Sequence, residues 1–282
     1  MNAEGSLFWI LGSLLVLGGL LLLPRLLLTR YVRSQIYRGK PAEGGTPAAH
    51  GLSYQEHWIQ SGDHRLQAWY VEPPAEDPGA PSFLLFQGGD DVIGELGHVQ
   101  KYLFDHGYGS FVFDYGGNGR SIGQPSASSF RRDSRAAYEL FTSLVGDQPK
   151  YLWGFSAGTL RLMMILPEVQ AELDSAFLVG PFASLRQIAS DNMPFPDWVM
   201  PLLLPDDGNN EDLLTQVHQT PVTIVHSRDD ELAPVHHAHK LESAGGENVE
   251  LALLDGLLHN DCWDPIHDAY WEPVFSRLGQ TS

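Results

Sequence analysis

Five short, unbroken apolar runs, at residues 83–86, 111–113, 151–153, 176–179 and 222–225, constrain this chain more than any other feature. They are too short for ordinary helices, and because they do not alternate with polar residues they cannot keep one face in water. They fit strands buried on both sides. Segments of helical period lie between them, as at 130–145. The expected architecture is therefore an α/β fold, with a mostly parallel central sheet and helices on both faces. Runs at 54–60 and 66–72, separated by Ser61-Gly62-Asp63, read as an entering hairpin that the proline-rich stretch 73–81 ends. A last strand is expected at 251–254 and a closing helix at 270–278.

The run at 151–153 leads straight into Gly154-Phe155-Ser156-Ala157-Gly158, and a helix-like stretch, 159–166, follows. A serine on a tight strand-to-helix turn projects its hydroxyl above the sheet edge, and flanking glycines supply the backbone freedom and room. Such a hydroxyl is a poor nucleophile until a base takes its proton, and histidine has the pKa for that work. In this arrangement the acid and then the histidine follow the serine along the chain. Asp229 and Asp230 follow the run at 222–225, and His259 lies in the turn after 251–254. Both loops fall just past strand C-termini, the edge on which Ser156 should emerge. Asp230 is favoured over Asp229 because it stands further toward Pro234, where the next helix begins. Asp255 reads as a turn residue.

A tetrahedral intermediate needs two backbone N–H donors. One is expected from Ala157, directly after the serine, and the other from Gln87-Gly88-Gly89-Asp90-Asp91, with Gly89 preferred and Gly88 its near alternative. The competing reading is a plain turn capped by Asp90 or Asp91. His236-His237-Ala238-His239 places His236 and His239 on one helical face, but without cysteines or a clear carboxylate partner it reads as solvated helix surface. Gly116-Gly117-Asn118-Gly119 lacks the dinucleotide fingerprint. These residues call for neither a metal nor an organic cofactor.

The 282 residues carry a net charge of −18, unevenly placed. Before position 41 five basic residues face one acid, Glu4, which leaves 12 basic against 34 acidic residues in the body. An acidic body argues against nucleic-acid binding. The single cysteine, Cys262, rules out an internal disulfide framework. Residues 7–23 are uncharged and apolar, and Pro24-Arg25 and three leucines follow. With no positive n-region and no small-x-small cleavage site, this leader reads as a transmembrane anchor and not as a signal peptide. Its positive flank places the body on the cytoplasmic face. The domain plan is an anchor and basic flank at 1–38, a Gly/Pro/Ala-rich linker at 39–51 and a body at 52–282. The apolar, proline-broken segment 181–216 interrupts the alternation and reads as a small cap forming an acyl-binding wall over Ser156, with ordinary core packing as the competing reading.

Several stretches carry a family resemblance. Phe113-Asp114-Tyr115-Gly116-Gly117-Asn118-Gly119-Arg120-Ser121 is similar to an Asp-Tyr-Arg-Gly-Tyr-Gly-x-Ser segment, and Gly180-Pro181-Phe182-Ala183-Ser184-Leu185-Arg186 to a Pro-Phe-Thr-Ser-Leu-Arg stretch. His226-Ser227-Arg228-Asp229-Asp230-Glu231-Leu232-Ala233-Pro234 matches His-Gly-x-x-Asp-x-x-Val-Pro, and Gly256-Leu257-Leu258-His259-Asn260-Asp261 resembles Gly-x-x-His-Asn-Asp. From about residue 54 onward the chain resembles the α/β-hydrolase superfamily, in particular its single-pass membrane-anchored serine hydrolases, which include acylglycerol and lysophospholipid lipases and protein depalmitoylases. The resemblance implies a triad of Ser156, Asp230 and His259, an oxyanion hole at Ala157 and Gly89, and an acyl ester, thioester or lipid-like substrate. Two positions depart from it: Gln87-Gly88-Gly89 stands for His-Gly-Asn, and Gly116 for arginine. The altered oxyanion loop is the one feature that favours the alternative of a catalytically silent binding or scaffold protein.

Overall fold

The chain enters its sheet through a hairpin, β1 (Gln55–Ser61) against β2 (His64–Val71), in register from Gln55↔Tyr70 to Ser61↔His64. Gly62, at φ 59°, makes the two-residue turn, a left-handed conformation that glycine adopts without a Cβ penalty. The computed structural model describes residues 37–279 apart from 76, 78, 90, 194–196, 205–207 and 264–267, together with 23, 26, 27 and 29–31 of the leader.

Strand and helix then alternate: β3 (Ser82–Phe86), α1 (Gly97–Asp105), β4 (Gly109–Phe113), α2 (Ala127–Val145), β5 (Lys150–Phe155), α3 (Ala157–Met163), α4 (Leu166–Val169) and β6 (Ser175–Val179). After an excursion through three short helices, α5 (Leu185–Asn192), α6 (Met200–Leu203) and α7 (Asn210–Leu214), the chain returns as β7 (Val222–Ser227). It closes with α8 (His236–Ala244), β8 (Val249–Leu254) and α9 (Glu272–Gly279). The eight strands lie in the order β1-β2-β4-β3-β5-β6-β7-β8. Only β2 runs against the rest.

The apolar runs are unbroken because both faces of the sheet are covered. Leu84, Phe86, Phe113, Leu152 and Leu178 pack on one side against α2 and α3. Phe83, Leu85, Val112, Trp153 and Phe177 pack on the other, where Trp153 stacks on Trp271 with centroids 5.1 Å apart. Each fully buried leucine or phenylalanine contributes about 1.5–3 kcal/mol over its exposed state. Leu152→Ala, at the centre of β5, is expected to cost about 2–5 kcal/mol.

The segment 39–51 runs along the loops that follow β3 and β4. Gly119 N–H donates to Lys40 O at 2.8 Å, Gly45 N–H to Gly94 O at 2.9 Å, and Lys40 Nζ pairs with Glu95 at 2.9 Å. Among the described residues no helix is long and apolar enough to cross a membrane. The span expected at 7–23 lies outside them, apart from Leu23.

Candidate active site

Ser156 sits between β5 and α3 at φ 50°, ψ −120°, and is the one non-glycine residue of positive φ among those described. A residue held in so sparsely populated a region is kept there by its surroundings. Here Ser156 N–H donates to Val179 O at 2.9 Å, which ties the turn to β6. Contact requires glycine at 158 and favours it at 154. A Cβ on Gly158 would lie 1.9 Å from Phe86 O, and one on Gly154 would lie 3.1 Å from the Gly158 backbone. The first turn of α3 thus packs directly against the end of β3.

Two loops from the same sheet edge reach this serine. His259, in the turn after β8, places Nε2 2.9 Å from Ser156 Oγ and Nδ1 2.7 Å from Asp230 Oδ2. The carboxylate holds the ring proton on Nδ1, which leaves the Nε2 lone pair facing the hydroxyl. Both His259 and Asp230 are 5% exposed. Burial works to raise the Asp230 carboxyl, but the hydrogen bond and charge of His259 and the Ala233 N–H outweigh it and hold it below the usual carboxylate range. Burial lowers His226, whose Nε2–H donates to Ala233 O at 2.7 Å and so steadies the loop carrying Asp230.

Three consecutive acids lace the two loops together, each at a different point. Asp229 accepts the Gly256 N–H at 2.7 Å and does not reach the imidazole ring. Glu231 accepts the His259 backbone N–H at 3.0 Å. Asp255 is exposed and pairs with Arg228.

Gly89 lies beside the serine turn, since a Cβ there would stand 3.6 Å from the Ala157 Cβ. Gly88 is differently placed. Its N–H donates to Asp91 Oδ2 at 2.9 Å, and a Cβ on it would lie 2.5 Å from that oxygen. Sequence reasoning overlooked Arg161, 4% exposed on α3, whose Nη1 donates to Gln87 O at 3.3 Å and Gly88 O at 3.1 Å. The available signal was a lone charge in the otherwise uncharged helix Ala157–Met163.

A cavity of about 320 Å³ opens from Ser156 and His259 between α5 and the loop carrying Asp230, with Leu185, Ile188, Met193 and Leu232 in its walls. Its lining is apolar and comes largely from the segment expected to act as a cap or as core. The histidine cluster on α8 lies elsewhere. His236 and His237 place Nε2 within 3.1 and 2.9 Å of Asp191 on α5. Ala183 N–H donates to His237 Nδ1 at 3.2 Å, so the neutral ring carries its proton on Nε2 and offers no lone pair to a cation there. Burial, with His236 beside it, lowers His237 to about 4.

The serine aminopeptidase S33 family model (Hydrolase_4) matches residues 80–216. The chain is 28% identical over 200 residues to the lysophosphatidylserine lipase ABHD12 of Rattus norvegicus, covering 65% of this chain and 50% of that protein. To the Xenopus tropicalis lipase of the same name it is 31% identical over 189 residues, covering 61% and 48%. It therefore spans about half the length of these curated relatives. The Pyrococcus furiosus esterase Pf2001 superposes with a TM-score of 0.67 at 20% identity, over 86% of this chain and 97% of that one, which establishes a shared fold. A strained serine between strand and helix, a mostly parallel eight-stranded sheet and these matches agree on one fold, that of the α/β-hydrolases.

Proposed function

We propose that this protein is a serine hydrolase that cleaves acyl esters or thioesters through an acyl-enzyme. Ser156 Oγ attacks the carbonyl carbon while His259 Nε2 takes its proton, and Asp230 holds the imidazolium that forms. The N–H groups of Ala157 and Gly89 receive the oxyanion. His259 then returns the proton to the departing alcohol or thiol, and water repeats the sequence in reverse to free the acid and restore Ser156. The reading rests on one observation, the unbroken line from Ser156 Oγ through the ring of His259 to Asp230 at 2.9 and 2.7 Å.

The cavity supports a substrate with an apolar acyl chain. At about 30 Å³ for a water-sized group, 320 Å³ accommodates about ten chain carbons. Lipid-like esters also suit a chain with an apolar leader, which supports membrane tethering, and relatives that carry the name of lysophosphatidylserine lipases.

The test is turnover of p-nitrophenyl esters of rising chain length, beside an acyl thioester and an anilide, with fluorophosphonate labelling in parallel. Ester hydrolysis is expected to peak near medium chains and to exceed anilide hydrolysis. Ser156→Ala is expected to lower kcat by a factor on the order of 10⁴ or more and to abolish labelling. A folded wild-type chain that neither labels nor hydrolyses any of these substrates refutes the proposal.

A further inference from the structure

Burying a guanidinium is costly unless its surroundings compensate, so an arginine inside the helix that follows Ser156 requires a reason. The carbon of the Arg161 guanidinium stands 4.4 Å from the centre of the Tyr115 ring and 4.5 Å from that of Phe130. The planar group is thereby fixed against two aromatic rings. From there its Nη1 reaches the carbonyl oxygens of two successive residues, Gln87 and Gly88. These are the residues that lead into the expected oxyanion donor.

We infer that Arg161 is a positioning residue for the oxyanion hole, acting by orienting the peptide that carries the Gly89 N–H; the inference rests on the serine-hydrolase reading. In a trans peptide the C=O and N–H point in opposite directions within one plane, and the described chain has no cis bond. A donor that fixes the Gly88 oxygen therefore fixes the Gly89 N–H pointing away from it. Arg161 stands four residues beyond Ala157 on the same helix, hence on the same face and one turn further along. Pointing away from Arg161 means pointing back toward the start of α3, where Ser156 and the Ala157 N–H lie.

The preceding peptide is held at both ends, by Arg161 on the Gln87 oxygen and by Asp91 on the Gly88 N–H. Without such restraint a Gly-Gly pair samples many conformations and spends little time with its N–H aligned. Where the family resemblance calls for His-Gly-Asn, this chain has Gln-Gly-Gly, so no side chain at 89 contributes to holding the loop. The guanidinium supplies that hold from behind, through backbone oxygens.

The test compares Arg161→Met and Arg161→Lys with wild type, with each preparation normalised to the serine that a fluorophosphonate titrates. Arg161→Met keeps an apolar stem between the rings and removes the donors. Losing one aligned oxyanion donor lowers kcat by about 10²–10³-fold. A donor left in place but released should lower it by about 10–100-fold, with KM within about threefold of wild type. Affinity for a trifluoromethyl ketone, whose serine adduct carries an oxyanion, should fall in step with kcat/KM. Arg161→Lys, with a single reaching donor, should recover part of both.

A role confined to stability would lower the unfolding midpoint and the titratable fraction but leave kcat per titrated serine and ketone affinity unchanged. That outcome overturns the inference while leaving the serine-hydrolase reading intact. If Arg161→Met does not fold, Arg161→Lys decides, and wild-type kcat and ketone affinity in it are equally fatal. A wild-type protein without turnover or labelling removes both proposals.

Discussion

Gly158→Ala places one methyl group in the tightest backbone contact of the site. A Cβ at this position would lie 1.9 Å from the Phe86 oxygen and 2.6 Å from the Gln87 oxygen, whereas real Cβ atoms essentially never come closer than 3.0 Å. Both obstacles are main chain, so no rotamer relieves them, and α3 must part from the end of β3 by at least 1.1 Å. Two effects oppose each other in stability. Alanine gains about 0.5–1 kcal/mol over glycine within a helix, and overpacking costs about 1–3 kcal/mol. The net loss should be about 1–2 kcal/mol, which leaves a folded protein.

The effect on rate is larger. The displacement separates Ser156 and Ala157 on one element from Gln87, Gly88 and Gly89 on the other, and a 1 Å misplacement costs on the order of 100-fold. Urea unfolding and kcat/KM on a p-nitrophenyl ester, measured on the same preparation, separate the two effects. Gly154→Ala is the control, because its Cβ would lie 3.1 Å from the Gly158 backbone, a contact relieved by a few tenths of an ångström. Its loss should be tenfold or less. Wild-type turnover in Gly158→Ala would show that the contact between α3 and β3 does not set the catalytic geometry, and the reasoning fails there.

Two further substitutions probe the framework behind the site. Burial pushes the Asp114 carboxyl up to about 7 against the pull of the Ile93 N–H. The folded chain therefore binds this proton more tightly than the unfolded one, where the ordinary value is 3.8, and the stabilisation present below that value is lost as pH rises through 7. Asp114→Asn, neutral throughout and still able to accept from Ile93, should gain on wild type between pH 5 and 8, by at most about 4 kcal/mol; urea midpoints showing a pH-independent difference would contradict this. Gly116→Ala puts a Cβ 2.2 Å from His64 Nδ1, and that ring is held by Asp133 at 2.9 Å and by the Gln124 N–H at 3.1 Å. A stability loss of about 1–3 kcal/mol is expected, with kcat per titrated serine unchanged; an unaltered urea midpoint would refute the clash.

What the sequence disclosed follows from which interactions leave a local pattern. Strands buried on both faces are apolar through their centres, so β3 to β7 were legible as runs, and Asp230 and His259 as residues of loops just past strand ends. Helices α5, α6 and α7 have only four to eight residues, too few to show a clear period, so the sequence did not single out α5, whose Leu185 and Ile188 wall the cavity. Asp229, Asp230 and Glu231 look alike in sequence. The fold distributes them to Gly256, to the His259 ring and to the His259 main chain. The docking of 39–51 was hidden for another reason. It rests largely on main-chain hydrogen bonds to Gly94 and Gly119, which any residue type can make.

The two departures from the family pattern lie in neighbouring loops, after β3 and after β4. At 116 an arginine has no room, because the His64 ring fills the space that even its Cβ would need and is bound there by Asp133, which also accepts from Ser61 and from the Gly116 N–H. At 87 the glutamine amide turns inward and donates to the Phe113 oxygen at 2.7 Å, so this side chain joins β3 to β4 and adds nothing to the site. Tyr115, directly between Phe113-Asp114 and Gly116, instead presents its ring to Arg161. A guanidinium thus reaches this junction from the helix that Ser156 begins and not from the loop after β4. The loop proposed to hold the oxyanion is thus held from its carbonyl side, by Arg161 on the oxygens of Gln87 and Gly88. In such an arrangement the hole depends on what stands behind it, and the loss of the family's histidine and asparagine does not by itself argue for a silent protein.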